Sequence, residues 1–261
     1  MLNTLWKHEI KATGKTMSSV YVVFAIATLL VCALSLGMRN TGSGVMGVLF
    51  SISLFFYVIT LIVLMTGSLI YLCWRFYHTM YSPQGYLTHT LPVKTSWILN
   101  CKVVTSVFYY LLACAACLLS VAVTGMVSTG EGFGFVIDVV RETISEGAGE
   151  FRMSEGFFVA FMITVSALAC LNYLLLFFAG SSIGQLAKRS KGAVGIAAGI
   201  GLYYVSQIAT VLLAVIGYFI IKQLGFSYRV IPFSVILLQM FWICVYYMIN
   251  RVILARHLNL E

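Results

Sequence analysis

Six long apolar stretches divide the chain, and they predict an all-α protein that crosses a membrane six times. About 20 apolar residues are enough for a helix to cross the roughly 30 Å hydrocarbon layer of a bilayer. The first five stretches contain no charged residue, and the sixth contains only Arg251, close to its end. Charged side chains in mid-membrane are costly, so the pattern argues against ion or proton chemistry there. The stretches cover, approximately, residues 19–37, 45–73, 103–127, 157–180, 192–221 and 232–254.

The second and fifth stretches are longer than a bilayer requires, so each must tilt, kink or protrude. We expect the second to continue beyond the membrane through residues 71–77. Each also carries a stripe of polar and small residues, which either packs against another helix or lines a substrate pathway. The Gly195-x-x-x-Gly199 spacing favours packing. The candidate pathway residues are Ser53, Tyr57, Thr60, Tyr203, Ser206 and Thr210.

Two segments outside the stretches also have helical periodicity. Residues 1–18 place Trp6 and Ile10 on one face and Lys7, Lys11 and Lys15 on the other, which predicts an interfacial N-terminal helix. Glu9 falls on the apolar face and needs a partner, so it is a candidate contact residue, although the segment could equally be a simple membrane anchor. Residues 128–156 predict a short helix that serves as a lid or as an ordered connector.

Composition and charge place the whole chain, residues 1–261, in one transmembrane domain. It is 61% hydrophobic and only 9% charged, which excludes a soluble domain. Eleven of the sixteen basic residues fall on one side of the predicted membrane, and six of the eight acids fall on the other. The positive-inside rule then predicts that both termini and residues 74–102 are cytoplasmic and that residues 128–156 are extracellular. The basic excess is expected to contact membrane lipids and not nucleic acid.

Motifs for catalysis or cofactor binding are missing from the sequence. The glycine pattern at residues 42–47 follows a membrane span and not a strand, so it does not predict dinucleotide binding. There is no P-loop motif, and the four histidines have no metal-ligand spacing. The sequence therefore predicts no catalytic residue, no metal site and no cofactor in this chain, so any energy source must be external.

The connection between the second and third stretches carries the most specific motif. Residues 75–94 read R-F-Y-H-T-M-Y-S-P-Q-G-Y-L-T-H-T-L-P-V-K. This segment resembles the connector of permeases of type-2 ATP-binding-cassette exporters, approximately E-G-Y-L-x-x-x-L-P-V, which faces the ATPase. Residues 6–15, W-K-H-E-I-K-A-T-G-K, are similar to that family's opening helix, Y-E-x-K-x-T-G-R. Residues 183–186, I-G-Q-L, with Lys188 and Lys191 after them, are similar to its inner connector between spans four and five.

The resemblance implies a permease without enzymatic activity of its own. Two six-span permeases, identical or paralogous, would form one pathway above two separate ATPase subunits that hold the ATP and Mg²⁺. It implies a bacterial plasma-membrane location and, with the apolar interior, an amphiphilic or hydrophobic compound or peptide as substrate. Gln84 departs from the family's glutamate, which would replace an ion pair with the ATPase by a neutral hydrogen bond. The implied ATPase-coupling residues are Gln84, Gly85, Tyr86, Leu87 and Thr88, with Glu9 and Lys11 beside them.

Three other classes of protein compete with this interpretation. A channel or secondary carrier would need ion ligands, which the spans lack. A membrane enzyme would need a cluster of histidines or acids at one membrane face, which is also missing. A non-transporting structural or sensory partner of another membrane protein needs no chemistry, so the residues leave that alternative open.

Overall fold

The computed structural model describes residues 2–42, 44–82, 85, 95–151, 153–187, 190–224 and 230–256. Within them the chain is all-helical, as predicted, and it forms seven helices with no strand. Six of the helices are long and apolar enough to span a membrane, so this is a multi-pass membrane protein by fold. The helices are α1 (Leu2–Thr41), α2 (Gly44–Tyr81), α3 (Thr95–Thr129), α4 (Phe133–Glu150), α5 (Glu155–Gly184), α6 (Lys191–Leu224) and α7 (Val230–Arg256).

Helix α1 joins two predicted elements into one. The N-terminal segment is helical as expected, but it continues without a break into the first span over 40 residues. A separate interfacial helix would need a bend between the two parts. The only helix-weakening residue there is Gly14, and one glycine costs a helix only about 1 kcal/mol. Position 14 has little room for a side chain, because a Cβ added to Gly14 would come 2.6 Å from the Tyr109 hydroxyl oxygen.

The predicted extension of the second span is confirmed. Helix α2 runs unbroken for 38 residues to Tyr81, about 57 Å at 1.5 Å per residue. The next helix begins at Thr95. The short helix predicted in residues 128–156 is α4, which follows α3 and precedes α5 along the chain. Gly130 and Gly132 precede it with positive φ angles, which suit glycine because it has no Cβ.

The apolar side chains divide between helix contacts and the outer surface. Large side chains such as Leu118, Val45 and Leu29 are more than two-thirds exposed. A soluble protein would hide such a surface, whereas a bilayer covers it with hydrocarbon. The exposed apolar faces of the long helices therefore agree with the membrane assignment.

The first of two compact units comprises Met1–Tyr71 and Phe108–Ser145. Its apolar core includes Phe24, Val31, Tyr57, Leu64 and Ala113, and the rings of Phe24 and Tyr57 stack at 6.5 Å. Three buried hydroxyls join its helices. The Ser120 hydroxyl on α3 is hydrogen-bonded to Thr28 on α1 at 2.8 Å and to Tyr57 on α2 at 2.6 Å.

The second unit comprises Leu72–Val107 and Glu146–Glu261. Here α5 packs against both α6 and α7. The backbones of α5 and α6 approach closely through glycines: Gly180 and Gly184 on α5 face Gly199 and Gly195 on α6. This contact confirms the close packing that the Gly195-x-x-x-Gly199 spacing predicts.

Candidate functional site

Of the predicted coupling residues 84–88, the structure describes only Gly85, together with the end of α2 that precedes them. Helix α2 ends at Tyr81, and Gly85 is buried, with its N–H donating to the Ser82 carbonyl at 2.7 Å. Gln84, Tyr86, Leu87 and Thr88, the other predicted docking residues, lie outside the described residues. Their role stays a prediction.

A chain of buried hydrogen bonds holds the end of α2 against α5 and α7. The Tyr81 hydroxyl donates to the Ser182 hydroxyl at 2.7 Å, and the Ser182 hydroxyl donates to Asn250 Oδ1, also at 2.7 Å. The Asn250 amide nitrogen donates to the carbonyls of Leu175 and Tyr246, at 3.2 and 2.9 Å. Because Ser182 and Asn250 are fully buried, these bonds face no competition from water. We call Tyr81, Ser182 and Asn250 the anchoring network.

Aromatic and aliphatic packing supports the same junction. The rings of Phe76 on α2 and Phe178 on α5 stack in parallel with centroids 4.0 Å apart. Met80, one turn after Phe76, is fully buried in the same core cluster. Burial of side chains of this size stabilises the junction by about 1.5–3 kcal/mol each. The segment that leads into residues 83–94 is therefore firmly attached to α5.

A buried lysine on α3 is hydrogen-bonded to the last turn of α2. Lys102, on the second turn of α3, is only 5% exposed, and its Nζ donates to the Thr79 hydroxyl at 2.7 Å. Thr79 lies in the last turn of α2, where the helix dipole presents its negative end. The position therefore favours the ammonium charge. The sequence analysis did not single out Lys102.

Glu9 and Lys11 lie on α1 in the first unit, whereas Gly85 belongs to the second. The Glu9 side chain is half-buried and that of Lys11 is exposed. The predicted position of these two residues beside the connector stays a prediction.

Of the pathway candidates of the second span, Ser53 and Tyr57 are buried in the first unit and Thr60 is half-buried. Tyr57 is 5% exposed, and its hydroxyl is bonded to Ser120. Ser53 and Thr60 donate to backbone carbonyls of their own helix, at 2.8 and 2.7 Å. This arrangement favours the packing interpretation of the stripe, and a pathway role for these residues stays a prediction.

The pathway candidates of the fifth span lie on α6 in the second unit. Ser206 is 7% exposed and donates to the Tyr203 carbonyl at 2.8 Å, while Tyr203 and Thr210 are half-buried. Tyr203 packs on the core cluster that contains Phe178. These residues therefore face the interior of the helix group more than the lipid.

The sequence analysis missed the anchoring network, although a signal was present. Only four amide side chains occur within the six apolar stretches: Asn172, Gln207, Gln239 and Asn250. An amide within an apolar span needs hydrogen-bond partners and is rarely placed there without a role. Asn250 could have been selected as a candidate on this ground alone.

Within the part of the chain that the structure describes, there is no group of three or more histidines, cysteines or acids that could hold a metal ion. Comparisons with protein-family models, with curated proteins and with solved structures found no match to the chain.

Proposed function

We propose that this protein is the membrane-spanning permease subunit of an ATP-driven exporter of the type-2 ATP-binding-cassette class. It would pair with a second six-span permease, identical or paralogous, and bind a separate ATPase subunit that holds ATP and Mg²⁺. The proposed location is a bacterial plasma membrane, with both termini in the cytoplasm. Lipids would cover the exposed apolar faces, and the substrate would be an amphiphilic or hydrophobic compound or a peptide.

The observation that carries the proposal is the attachment of α2 just before the motif of residues 83–94. The anchoring network and the Phe76–Phe178 stack join the last turns of α2 to α5 and α7. A displacement of residues 83–94 would therefore be transmitted to α2, α5 and α7, and not to α2 alone. Rigid-body displacement of packed helices is a common way to convert a local push into a larger movement.

The anchoring network has the properties that such a coupling requires. Hydrogen bonds between neutral buried groups in a membrane contribute about 0.6 kcal/mol each, up to roughly 2. Three helices joined by several such bonds move together, yet the bonds are weak enough to re-form after a change of angle. The side chains of the anchoring network are neutral, so its bonds can rearrange without the exposure of a charge of their own.

The test is a reconstitution with the candidate ATPase, chosen as a P-loop protein that co-purifies with the tagged chain in mild detergent. The chain alone is expected to hydrolyse no ATP, and the complex is expected to hydrolyse ATP in a vanadate-sensitive reaction. The double variant Tyr86→Ala with Leu87→Asp should lose the ATPase from the complex while it still inserts in the membrane. Anchors of this kind each contribute about 2 kcal/mol or more, so the loss should exceed tenfold.

Gln84→Glu is the matched control, because it changes the same segment but restores the family's residue. It should keep the ATPase bound, or bind it more tightly if a basic residue lies opposite. If the double variant binds the ATPase and stimulates it like the unchanged chain, residues 83–94 are not the coupling element. If no ATPase co-purifies at all, the alternative of a non-transporting structural or sensory partner replaces this proposal.

A further inference from the structure

Two amide side chains of the second unit have buried oxygens with no hydrogen-bond partner among the described residues. They are Asn172 Oδ1 on α5 and Gln239 Oε1 on α7. In contrast, the Asn250 amide is bonded through both of its polar atoms. A buried polar atom without a partner costs about 1–3 kcal/mol, and inside a membrane no water is at hand to relieve it. Such groups call for an explanation, and a bound partner is one of those available.

The packing of α5 on α6 places Asn172 level with Ser206. The two helices are antiparallel, since Gly184 faces Gly195 and Gly180 faces Gly199. Asn172 lies a little over two turns before Gly180, and Ser206 lies two turns after Gly199. Both residues therefore occupy the middle of their helices, at about the same height.

The packing of α5 on α7 brings Trp242 to the same height. These helices run in the same direction, because the rings of Phe157 and Phe233 are 5.9 Å apart near one end. Near the other end Ser182 donates to Asn250. Trp242 lies about two turns before Asn250, so it is level with the middle of α5.

The polar groups at about this height are neutral, and they include both a donor and an acceptor. Trp242 Nε1 is a buried donor without a partner among the described residues, and Asn172 Oδ1 is a buried acceptor without one. The Tyr246 hydroxyl, on the next turn of α7, is also buried without a partner among the described residues. The rings of Trp242 and Tyr246 stack with centroids 5.8 Å apart. We call Asn172, Ser206, Trp242 and Tyr246 the mid-span polar cluster.

We propose that the mid-span polar cluster binds the backbone amide of a neutral, peptide-like solute. This inference rests on the proposed function, because the solute would be the exported substrate. A peptide group carries one acceptor and one donor in fixed geometry. Its carbonyl would accept from the Trp242 indole N–H, and its N–H would donate to Asn172 Oδ1. The absence of a charged residue from residues 157–180 and 192–221 suits a solute without charge at this point.

The probe is a blocked dipeptide, N-acetyl-leucyl-leucinamide, and its ester analogue, in which an oxygen replaces the central N–H. Binding to the purified chain is measured by calorimetry and by the shift in its thermal midpoint. The amide should bind about tenfold more tightly than the ester, the change expected for one buried hydrogen bond. Equal affinity for the two probes, or no binding of either, contradicts the proposal.

Two conservative variants test the residues. Trp242→Phe removes the indole N–H and keeps an aromatic ring, and Asn172→Leu removes the acceptor at similar volume. Trp242→Phe should weaken amide binding about tenfold, and Asn172→Leu should abolish the preference for the amide over the ester. The control is Trp97→Phe, because Trp97 is 49% exposed and lies on α3. It should bind both probes like the unchanged chain.

The thermal midpoint without ligand separates binding from a structural role. Removal of a polar atom that has no partner should leave that midpoint unchanged or raise it. If Asn172→Leu lowers it, the Asn172 oxygen is paired within the protein or by ordered water, and the proposal is wrong; Trp242→Phe is not used here, because its smaller ring lowers the midpoint through lost packing alone. Loss of coupled ATP hydrolysis with intact amide binding would contradict only the proposed function. Intact coupling without amide binding would contradict only this inference.

Discussion

Replacement of Gly180 by alanine should disrupt the α5–α6 contact, whereas the same replacement at Gly199 should not. A Cβ at Gly180 would lie 2.6 Å from Gly199 Cα and 2.8 Å from Gly199 N. Both atoms belong to the backbone, so no side-chain rotation relieves the clash. A Cβ at Gly199 would instead lie 3.6 Å from Phe177 Cδ1 and 3.9 Å from Gly180 Cα, which is ordinary van der Waals contact.

The comparison of the two variants isolates the clash. Each one exchanges a helical glycine for alanine, so the gain in helix propensity, about 1 kcal/mol, is common to both. At Gly180 the helices must separate by most of an ångström, and a gap of that size removes a quarter to a half of each dispersion contact across it. Overpacking of this kind costs about 1–3 kcal/mol. Gly180→Ala should therefore be less stable than Gly199→Ala by about 1–3 kcal/mol.

The free energy of unfolding can be measured by titration with a denaturing detergent in mixed micelles, with loss of helical circular dichroism as the signal. Gly184→Ala should behave like Gly180→Ala, because its Cβ would lie 2.6 Å from Gly195 Cα. Gly199→Ala should match or exceed the unchanged chain. If Gly180→Ala and Gly199→Ala prove equally stable, the two backbones are not in the close contact described, and the packing argument fails.

Three further predictions use the same or simpler assays. Asn250→Leu should lower the free energy of unfolding by about 1–3 kcal/mol, because it leaves the Ser182 hydroxyl without its acceptor; an unchanged value would show that the anchoring network contributes nothing. Ser120→Ala should cost about 1 kcal/mol, since two hydrogen bonds are lost in the first unit, and a cost above that of Asn250→Leu would contradict this ranking. In a cysteine-less chain, a cysteine at Glu142 should react with an impermeant thiol reagent added outside intact cells, and one at Lys94 should not; the reverse pattern would overturn the predicted orientation.

Much of the fold could be predicted because hydrophobic runs report directly on membrane spans. The six spans, the extension of α2 and the short helix α4 all follow from local periodicity. The unbroken α1 was missed because the change from an amphipathic to an apolar pattern near residue 18 suggested a boundary. A change from an amphipathic to an apolar sequence marks a change of environment along the helix. The helix bends there only if the sequence also contains residues that weaken the helical backbone.

The candidate site was harder to predict because its contacts join residues far apart in the chain. Tyr81 and Ser182 meet across about a hundred positions, and no local pattern records that pairing. The stripe on α2 was visible in the sequence, but the sequence could not show that Tyr57 bonds to Ser120. Amides within apolar spans were the one local signal that pointed to Asn172 and Asn250.

The glycine contact between α5 and α6 also bears on how the protein is made. The two helices are joined by residues 185–190, a connection too short to allow them to insert far apart. Their facing surfaces are smooth enough for the backbones to touch, so they can associate within the bilayer as soon as both are inserted. We expect α5 and α6 to leave the translocation machinery as one helical hairpin, before α7 is added to it. The hairpin would then be in place when α7 packs against α5, and a substitution at Gly180 would act at this early step.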